Sequence, residues 1–471
     1  EEANKLWTEG VQELRDALGC TQGEVIRILK NIYGITTAPR GLWKDVDRTF
    51  VELGGRRVLG DPCIWIWTEP VDQPRNEYDR ERVIGYCGGH VDDFNRSGGN
   101  SNPAWLRVKR KLDQAYQWGT SRVNGHRHAG TNVSVLMSDN GDRYIQVDQD
   151  YHLASLEDVN IDPVRFHDPC LELNAEEVSA CRAAIGALQW TALQTQPQIC
   201  ARCNLLITDL AKGPVMRVAQ EIQEVICEVR KESTKLKFFA IPSAPHWQDV
   251  VHVTLGDQAH NNRPDGGSTG GLLSFVGGPE VQRGDVSRMS LMTWKTWKLK
   301  RKALSSNDAE VQAMVESEDL NFRRRLLWSE LNGGGASQPD LDYENRSSGG
   351  VRHVPGLIGT DSKGGYDAVE RNEGPTLGLS NIRSAIQAFQ LKKNILREGC
   401  RLIWLASDWN IADALTKKAL CCRQGLKLFM KTFVWRLKFD PDFVVSSRRA
   451  RSHGTKSAEE TMREWEQNEK Q

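Results

Sequence analysis

Two groups of carboxylates in this chain have the residue types and positions to hold divalent metal. The first is an adjacent pair, Asp92 and Asp93, in GYCGGHVDDF (85–94), just after the apolar run VIGY (83–86). Neighbouring like charges repel, and burying them side by side is costly unless a cation lies between them. The dipeptide suits an ordinary surface turn, since Asp and Gly are turn residues. Its chemical alternative is the metal-binding hairpin of a polymerase. The second group is dispersed. Asp257 ends the alternating stretch VVHVTLGD (250–257), and Glu310 lies near the start of SSNDAEVQAMVESEDLNFRRRLLWSEL (305–331). Asp361 closes PGLIGTD (355–361), and Asp413 opens the run holding NIADALTKKAL (410–420). Singly, each is ordinary, because strand ends and helix N-termini welcome acids. Together, four carboxylates from two strand ends and two helix starts could cradle two divalent ions roughly 4 Å apart. That arrangement makes a water nucleophilic and stabilises a leaving oxygen in phosphodiester hydrolysis. Mg²⁺ is the hard cation such oxygens prefer, with Mn²⁺ as an alternative.

These side chains need a scaffold, and hydrophobic periodicity outlines an α/β one. DPCIWIW (61–67) and RVIGYCG (82–88) read as strands around a polar loop with Pro70 and Pro74. KLWTEGVQELRDAL (5–18) has helical spacing. NVSVLM and RYIQVDQDY form a hairpin around SDNGD, and residues 175–240 are mostly helical. From about 246 a second α/β region begins. Its strands are VVHVTLGD, GGLLSFVGG (270–278), VSRMSLMTW (286–294), PGLIGT and RLIWLAS (401–407). A Ser at the start of 305–331 is the expected N-cap of the long helix, and a further helix is expected over 410–420. The expected division is 1–130, 131–245, 246–420 with a flexible Gly-rich insertion at 332–350, and a charged tail over 421–471.

The bulk composition excludes several classes. The 471 residues carry 62 basic and 62 acidic side chains, so net charge gives no argument for a polyanion partner. Eleven cysteines lack a regular framework, which points away from a secreted disulfide scaffold and towards a reducing compartment, cytoplasmic or nuclear. Cys200 and Cys203 form a lone C-x-x-C, whereas structural zinc needs four ligands. No apolar run reaches the roughly 18 residues of a membrane span. WKTWKLKRK (294–302) interleaves Lys295, Lys298, Lys300, Arg301 and Lys302 with Trp294 and Trp297. Such a mix could grip a sugar-phosphate backbone; the bland alternative is a solvated strand end with two core tryptophans. The basic cluster RRAR (448–451) reads as a solvated feature.

The stretches GDQAHNNRPDGGSTGG (256–271), SSNDAEVQAM (305–314), GTDSKGGYDA (359–368) and ASDWNIADALTKK (406–418) resemble the RNase H domain of copia-type long-terminal-repeat retrotransposons. The resemblance implies that Asp257, Glu310, Asp361 and Asp413 are metal ligands. It also implies an RNase H-like mixed five-stranded sheet with flanking helices, and RNA–DNA hybrid as substrate. Upstream, LKNIYGITTAPRGLWKDVDRTFVELGGRRVLGDPCIWIW (29–67) and IGALQWTALQTQPQICARCNLL (185–206) resemble the reverse transcriptase and connecting regions of the same elements, which makes Asp92 and Asp93 the paired acids of the polymerase hairpin. His90 stands where the family has Tyr, and Thr37 where it has Gln. A third polymerase Asp on an earlier strand is not found, so an incomplete palm is expected, without polymerase activity in this chain alone. The competing readings are an inactive element remnant that at most binds nucleic acid, and an interaction protein unrelated to nucleic acid.

Overall fold

Trp65, Trp67 and Trp105 are buried in the core of the first part of the chain. In the computed structural model, which describes residues 6–8, 26–28, 38–334, 350–370, 379, 381–437 and 458–469, two compact units form. One comprises the described residues up to Asp72 with Glu81–Thr120; the other comprises Gln73–Arg80 and the described residues from Ser121 onward.

In the first unit, β1 (Leu6–Thr8) pairs antiparallel with β2 (Ile26–Ile28). Residues 6–8 were expected to be helical; they are extended, and the rest of 5–18 lies outside the described residues. Helix α1 (Ala38–Glu52) leads to an antiparallel sheet of β3 (Arg56–Arg57), β4 (Ile64–Pro70), β5 (Glu81–His90) and β6 (Asp93–Gly98), followed by α2 (Pro103–Ala115). Both helices bury their apolar stripe on the sheet: Val46, Phe50, Trp105 and Leu112 meet Trp65, Trp67, Ile84 and Cys87.

The second unit opens with β7 (Gly125–His128), β8 (Thr131–Met137) and β9 (Arg143–Asp148), the last two forming the expected hairpin. After two short helical turns come three long helices: α3 (Ala175–Gln194), α4 (Cys200–Lys212) and α5 (Met216–Lys231). Asn174 and Glu177 start α3 with a reciprocal capping box. Strand β10 (Leu236–Phe239) then returns to β9. Cys200 and Cys203 lie inside α4 in the hydrophobic core, and burial pushes the Cys203 thiol up to about 12.

The remaining strands build one mixed sheet. They are β11 (Val251–Ala259), β12 (Thr269–Gly277), β13 (Val286–Lys298), β14 (Gly356–Thr360), β15 (Cys400–Trp404) and β16 (Val434–Arg436). Their order is β15-β14-β11-β12-β13-β16. β11, β12 and β13 run antiparallel, and β14 and β15 add in parallel to β11. The five expected strands are all present, and the three-residue β16 extends the β13 edge. Helix α6 (Ser306–Leu331) crosses β11, α7 (Lys363–Glu370) and α8 (Ile382–Glu398) fill the β14–β15 connection, and α9 (Leu420–Thr432) precedes β16. A last helix, α10 (Ala458–Glu469), brings Met462 into the core. One cluster of buried side chains, including Leu188, Leu206, Ile222, Val253, Phe275, Phe429 and Trp435, runs from the α3–α5 helices into the sheet, across residue 245.

Two contacts fix α6 over the sheet. Gly256 lets the helix approach, because a Cβ there would lie 2.5 Å from Ser317 Oγ. Arg325, fully buried, donates from Nη1 to the Glu398 carbonyl at 2.9 Å and the Val354 carbonyl at 3.3 Å, and from Nη2 to Glu398 Oε2 at 3.2 Å. It thus ties α6 to the entry of β14 and the end of α8. Removing one partner of a buried pair leaves an uncompensated charge, at a cost of about 3–5 kcal/mol, whereas exposed pairs contribute about 0–1 kcal/mol. Glu398→Gln is therefore expected to lower the unfolding free energy by about 3–5 kcal/mol in urea titration. Asp285→Asn, which breaks the exposed Arg283–Asp285 pair, should change it by less than about 1 kcal/mol. Equal effects would contradict the assigned role of Arg325.

Candidate metal centre

The sheet sets three of the four dispersed carboxylates close together. Asp257 lies on β11, two residues before its end, and is buried because β12 and β14 flank that strand and α6 covers it. Ser305 caps α6 through its side chain to the Asp308 backbone N–H, as expected. Asp308 occupies the first turn, and Glu310 follows one position into the next. Asp361 directly follows β14. Ligand oxygens of Asp257, Glu310 and Asp361 all lie within 4.8 Å of one another.

Each member is held by a neutral donor. Thr416 Oγ1 donates to Asp257 Oδ2. Asn410 Nδ2 donates to Asp361 Oδ1 at 2.9 Å and to the Gly256 carbonyl at 3.1 Å. Gln258 Nε2 reaches Glu310 Oε1 at 3.3 Å while bonding Ser306 Oγ at 2.9 Å. Glu310 Oε2 is buried and has no hydrogen-bond partner. An orphaned carboxylate oxygen beside two further acids is costly unless something positive meets it.

The electrostatics agree. Burial pushes the Glu310 carboxyl up to about 8, with Asp361 adding to the shift. Burial, then Asp413, raises Asp361. Asp257 is raised well above the ordinary range by burial, then by Asp413, Asp361 and Glu310, with Lys417 opposing. The donor set is all oxygen, which suits a hard divalent cation. These residues fit such an ion.

Asp413 stands apart from the three. It lies in a 3₁₀ segment, Ile411–Leu415, where an α-helix over 410–420 was expected. The Asn410 side chain caps Ala412, and i→i+3 bonds, Asp413 N to Asn410 O at 3.3 Å and Thr416 N to Asp413 O at 3.2 Å, tighten the turn. The α-helix starts only at Leu420. Asp413 Oδ1 accepts from Lys417 Nζ at 2.6 Å, and the same ammonium lies 3.7 Å from Asp257 Oδ2. Lys417, Thr416, Asn410 and Gln258 were not singled out by the sequence reading. The available signal was their nearness to Asp413 and Asp257 in chain.

The other candidates lie elsewhere. Asp92 and Asp93 sit at the tip of the β5–β6 hairpin, where His90 pairs with Asp93, and both are exposed. Val91 in that turn has φ of 58°, a strained value for a β-branched residue. Among the described residues the pair joins no cluster of three possible metal ligands. In the basic stretch, β13 continues through Lys298. Lys295 pairs with Glu316 at 3.3 Å, Lys298 with Asp265 at 2.5 Å, and Arg301 donates to Gln387. Lys300 and Lys302 are exposed. Trp294 packs on the core and donates to the Ala192 carbonyl at 2.9 Å.

No protein-family model matches the chain, and no curated protein matches it. Among solved structures it is similar to one described as the foamy viral protease-reverse transcriptase in complex with RNA/DNA hybrid, at 12% identity and a TM-score of 0.21. That match covers 68% of this chain and 42% of the other, so the chain spans under half of that protein's length. A likeness at this level carries no functional weight, and the site stands on its own geometry.

The raised carboxyls have a consequence for stability. A carboxyl whose folded-state value lies above its unfolded one favours folding below the unfolded value and loses that contribution as pH rises through the folded one. For Glu310 the window runs from 4.5 to about 8. In EDTA, wild type is expected to lose melting temperature relative to Glu310→Gln between pH 5 and pH 8, and Mn²⁺ should restore the wild type alone. Parallel melting curves for both proteins across this range would contradict the arrangement.

Proposed function

We propose that the second unit is a metal-dependent phosphodiesterase of the RNase H type, cutting the RNA strand of RNA–DNA hybrids, in a chain of retroelement origin resembling copia-type elements. The observation that carries this reading is the meeting of Asp257, Glu310 and Asp361 within 4.8 Å around a buried, unpartnered Glu310 oxygen. In this proposal the three carboxylates hold one Mg²⁺, and Asp257 with Asp413 contributes to a second. The ions, when bound, supply an activated water and stabilise the leaving oxygen.

The chain's own residues do the positioning. Thr416 orients the Asp257 carboxylate, Asn410 orients Asp361, and Gln258 occupies Glu310 Oε1 so that Oε2 is left as the free acceptor. Each donor is an uncharged group, so it fixes geometry without neutralising the charge that a cation requires. Hybrid recognition is assigned to backbone shape and the 2′-OH. Lys300 and Lys302, exposed beyond the end of β13, are the strongest candidates for phosphate contacts, since Lys295 and Lys298 already face acids. Asp92 and Asp93 are proposed as the acids of a polymerase-type hairpin. Two-metal nucleotidyl transfer needs a further carboxylate, and none joins them among the described residues.

Wild type is expected to cut the RNA strand of a labelled hybrid in Mg²⁺ and to stop in EDTA. Asp361→Asn should lower the rate by on the order of a hundredfold or more, given that even groups supporting a ligand contribute 10–100-fold. Equal rates would overturn the assignment, and EDTA-insensitive hybrid binding without turnover would favour the inactive remnant. The double variant Lys300→Ala, Lys302→Ala should reduce the salt dependence of hybrid binding by a log–log slope of about 2.

A further inference from the structure

Asp413 is the one dispersed carboxylate that does not meet the other three, and its neighbour shows why. Its Oδ1 is turned to Lys417 Nζ, four residues along the chain, at 2.6 Å. That ammonium also lies 3.7 Å from Asp257 Oδ2. One positive charge therefore bridges two carboxylates, the place a second divalent ion would take. The bridge is not locked in. The Lys417 side chain is 38% exposed, against 3% for that of Asp257. It also borders an open groove of about 830 Å³, lined by Lys212, Arg217, Asn261 and Asn262, into which a flexible four-carbon stem can turn. Two acids of that groove, Asp209 and Glu221, are already engaged by Lys418 at 2.5 and 2.8 Å, so they offer Lys417 no strong competing anchor.

We infer that Lys417 is a built-in competing cation: it occupies the Asp257–Asp413 half of the centre and yields it to a second divalent ion only by swinging out into the groove. The inference rests on the proposed reading of Asp257, Glu310 and Asp361 as a metal centre and adds an order of filling. The three-carboxylate half binds first and tightly. The Asp413 half binds second and more weakly, because a resident charge must leave.

Mn²⁺ titration of the full chain, followed by calorimetry and by the loss of free-ion EPR signal, tests this without reference to turnover. Wild type is expected to show one tight and one weaker site. Lys417→Met should tighten the weaker site about fivefold, the scale of a partly exposed ion pair, and leave the tight site unchanged. Lys417→Gln, a second neutral variant, should do the same, and Lys417→Arg should restore the wild-type curve. Asp413→Asn should remove the weaker site alone. Neutral variants that leave the weaker site unchanged, or weaken it, overturn the inference while the tight site stands. Absence of any Mn²⁺ uptake by wild type, or a tight site that survives Asp361→Asn, overturns the metal reading and this inference with it.

Discussion

Three carboxylates with oxygens within 4.8 Å of one another repel, and burial magnifies the repulsion because little water remains to screen it. The rest of the second unit is organised around holding them there. No flexible loop could do so. Each acid is borne by an element that packing immobilises: the central strand β11, the long helix α6, and the residue directly after β14. The neutral partners Thr416, Asn410 and Gln258 then set the orientation of each carboxylate. Nothing in that set of donors cancels the charge, so the three side chains could hold a metal ion.

That core is continuous. Buried side chains run from helices α3–α5 through the sheet to α9 and α10, so the strands that carry the acids are backed on one side by the helical segment. On the other side, α6 lies close over Gly256, and Arg325 ties it to the start of β14. A further ionic contact joins α4 and α5 to α9: Glu228 receives Arg202 at 2.8 Å and Arg423 at 2.6 Å. Against its partial burial, Arg423 and Lys427, the latter at 2.8 Å, bring the Glu228 carboxyl down to about 2. The contrast with Glu310, pushed up to about 8, is instructive. Glu228 is met directly by Arg202, Arg423 and Lys427, whereas Glu310 Oε2 has no hydrogen-bond partner.

Much of this was legible in the sequence, for reasons that can be named. The strands of the mixed sheet and the long helix follow from alternation, β-branched content and a Ser cap, all local signals. Asp257, Glu310 and Asp361 were singled out at the end or start of such elements and grouped with Asp413 by the family resemblance; the fold brings the three, without Asp413, within 4.8 Å. The 410–420 segment was misread as α-helix, since its apolar spacing is helical while Asn410 and Thr416 spend their side chains on tertiary and capping bonds that break the helix. β16 was missed because three residues are too few for any periodic signal. Lys417 could not have been found by composition: a lysine four residues after an aspartate is a common surface pair, and only the fold brings Asp257 to its other side. The basic stretch illustrates the same limit, because Glu316 and Asp265, which face Lys295 and Lys298, are distant in sequence.

The central claim is that Asp257, Glu310 and Asp361 form a cation site. Anomalous diffraction at the manganese edge, from crystals of the full chain grown with Mn²⁺, tests it directly. The account predicts an anomalous peak bonded to one oxygen from each of the three side chains, with Glu310 Oε2 among them. A peak placed elsewhere, or fully occupied crystals of ordered protein with the three carboxylates apart and no peak between them, would contradict it.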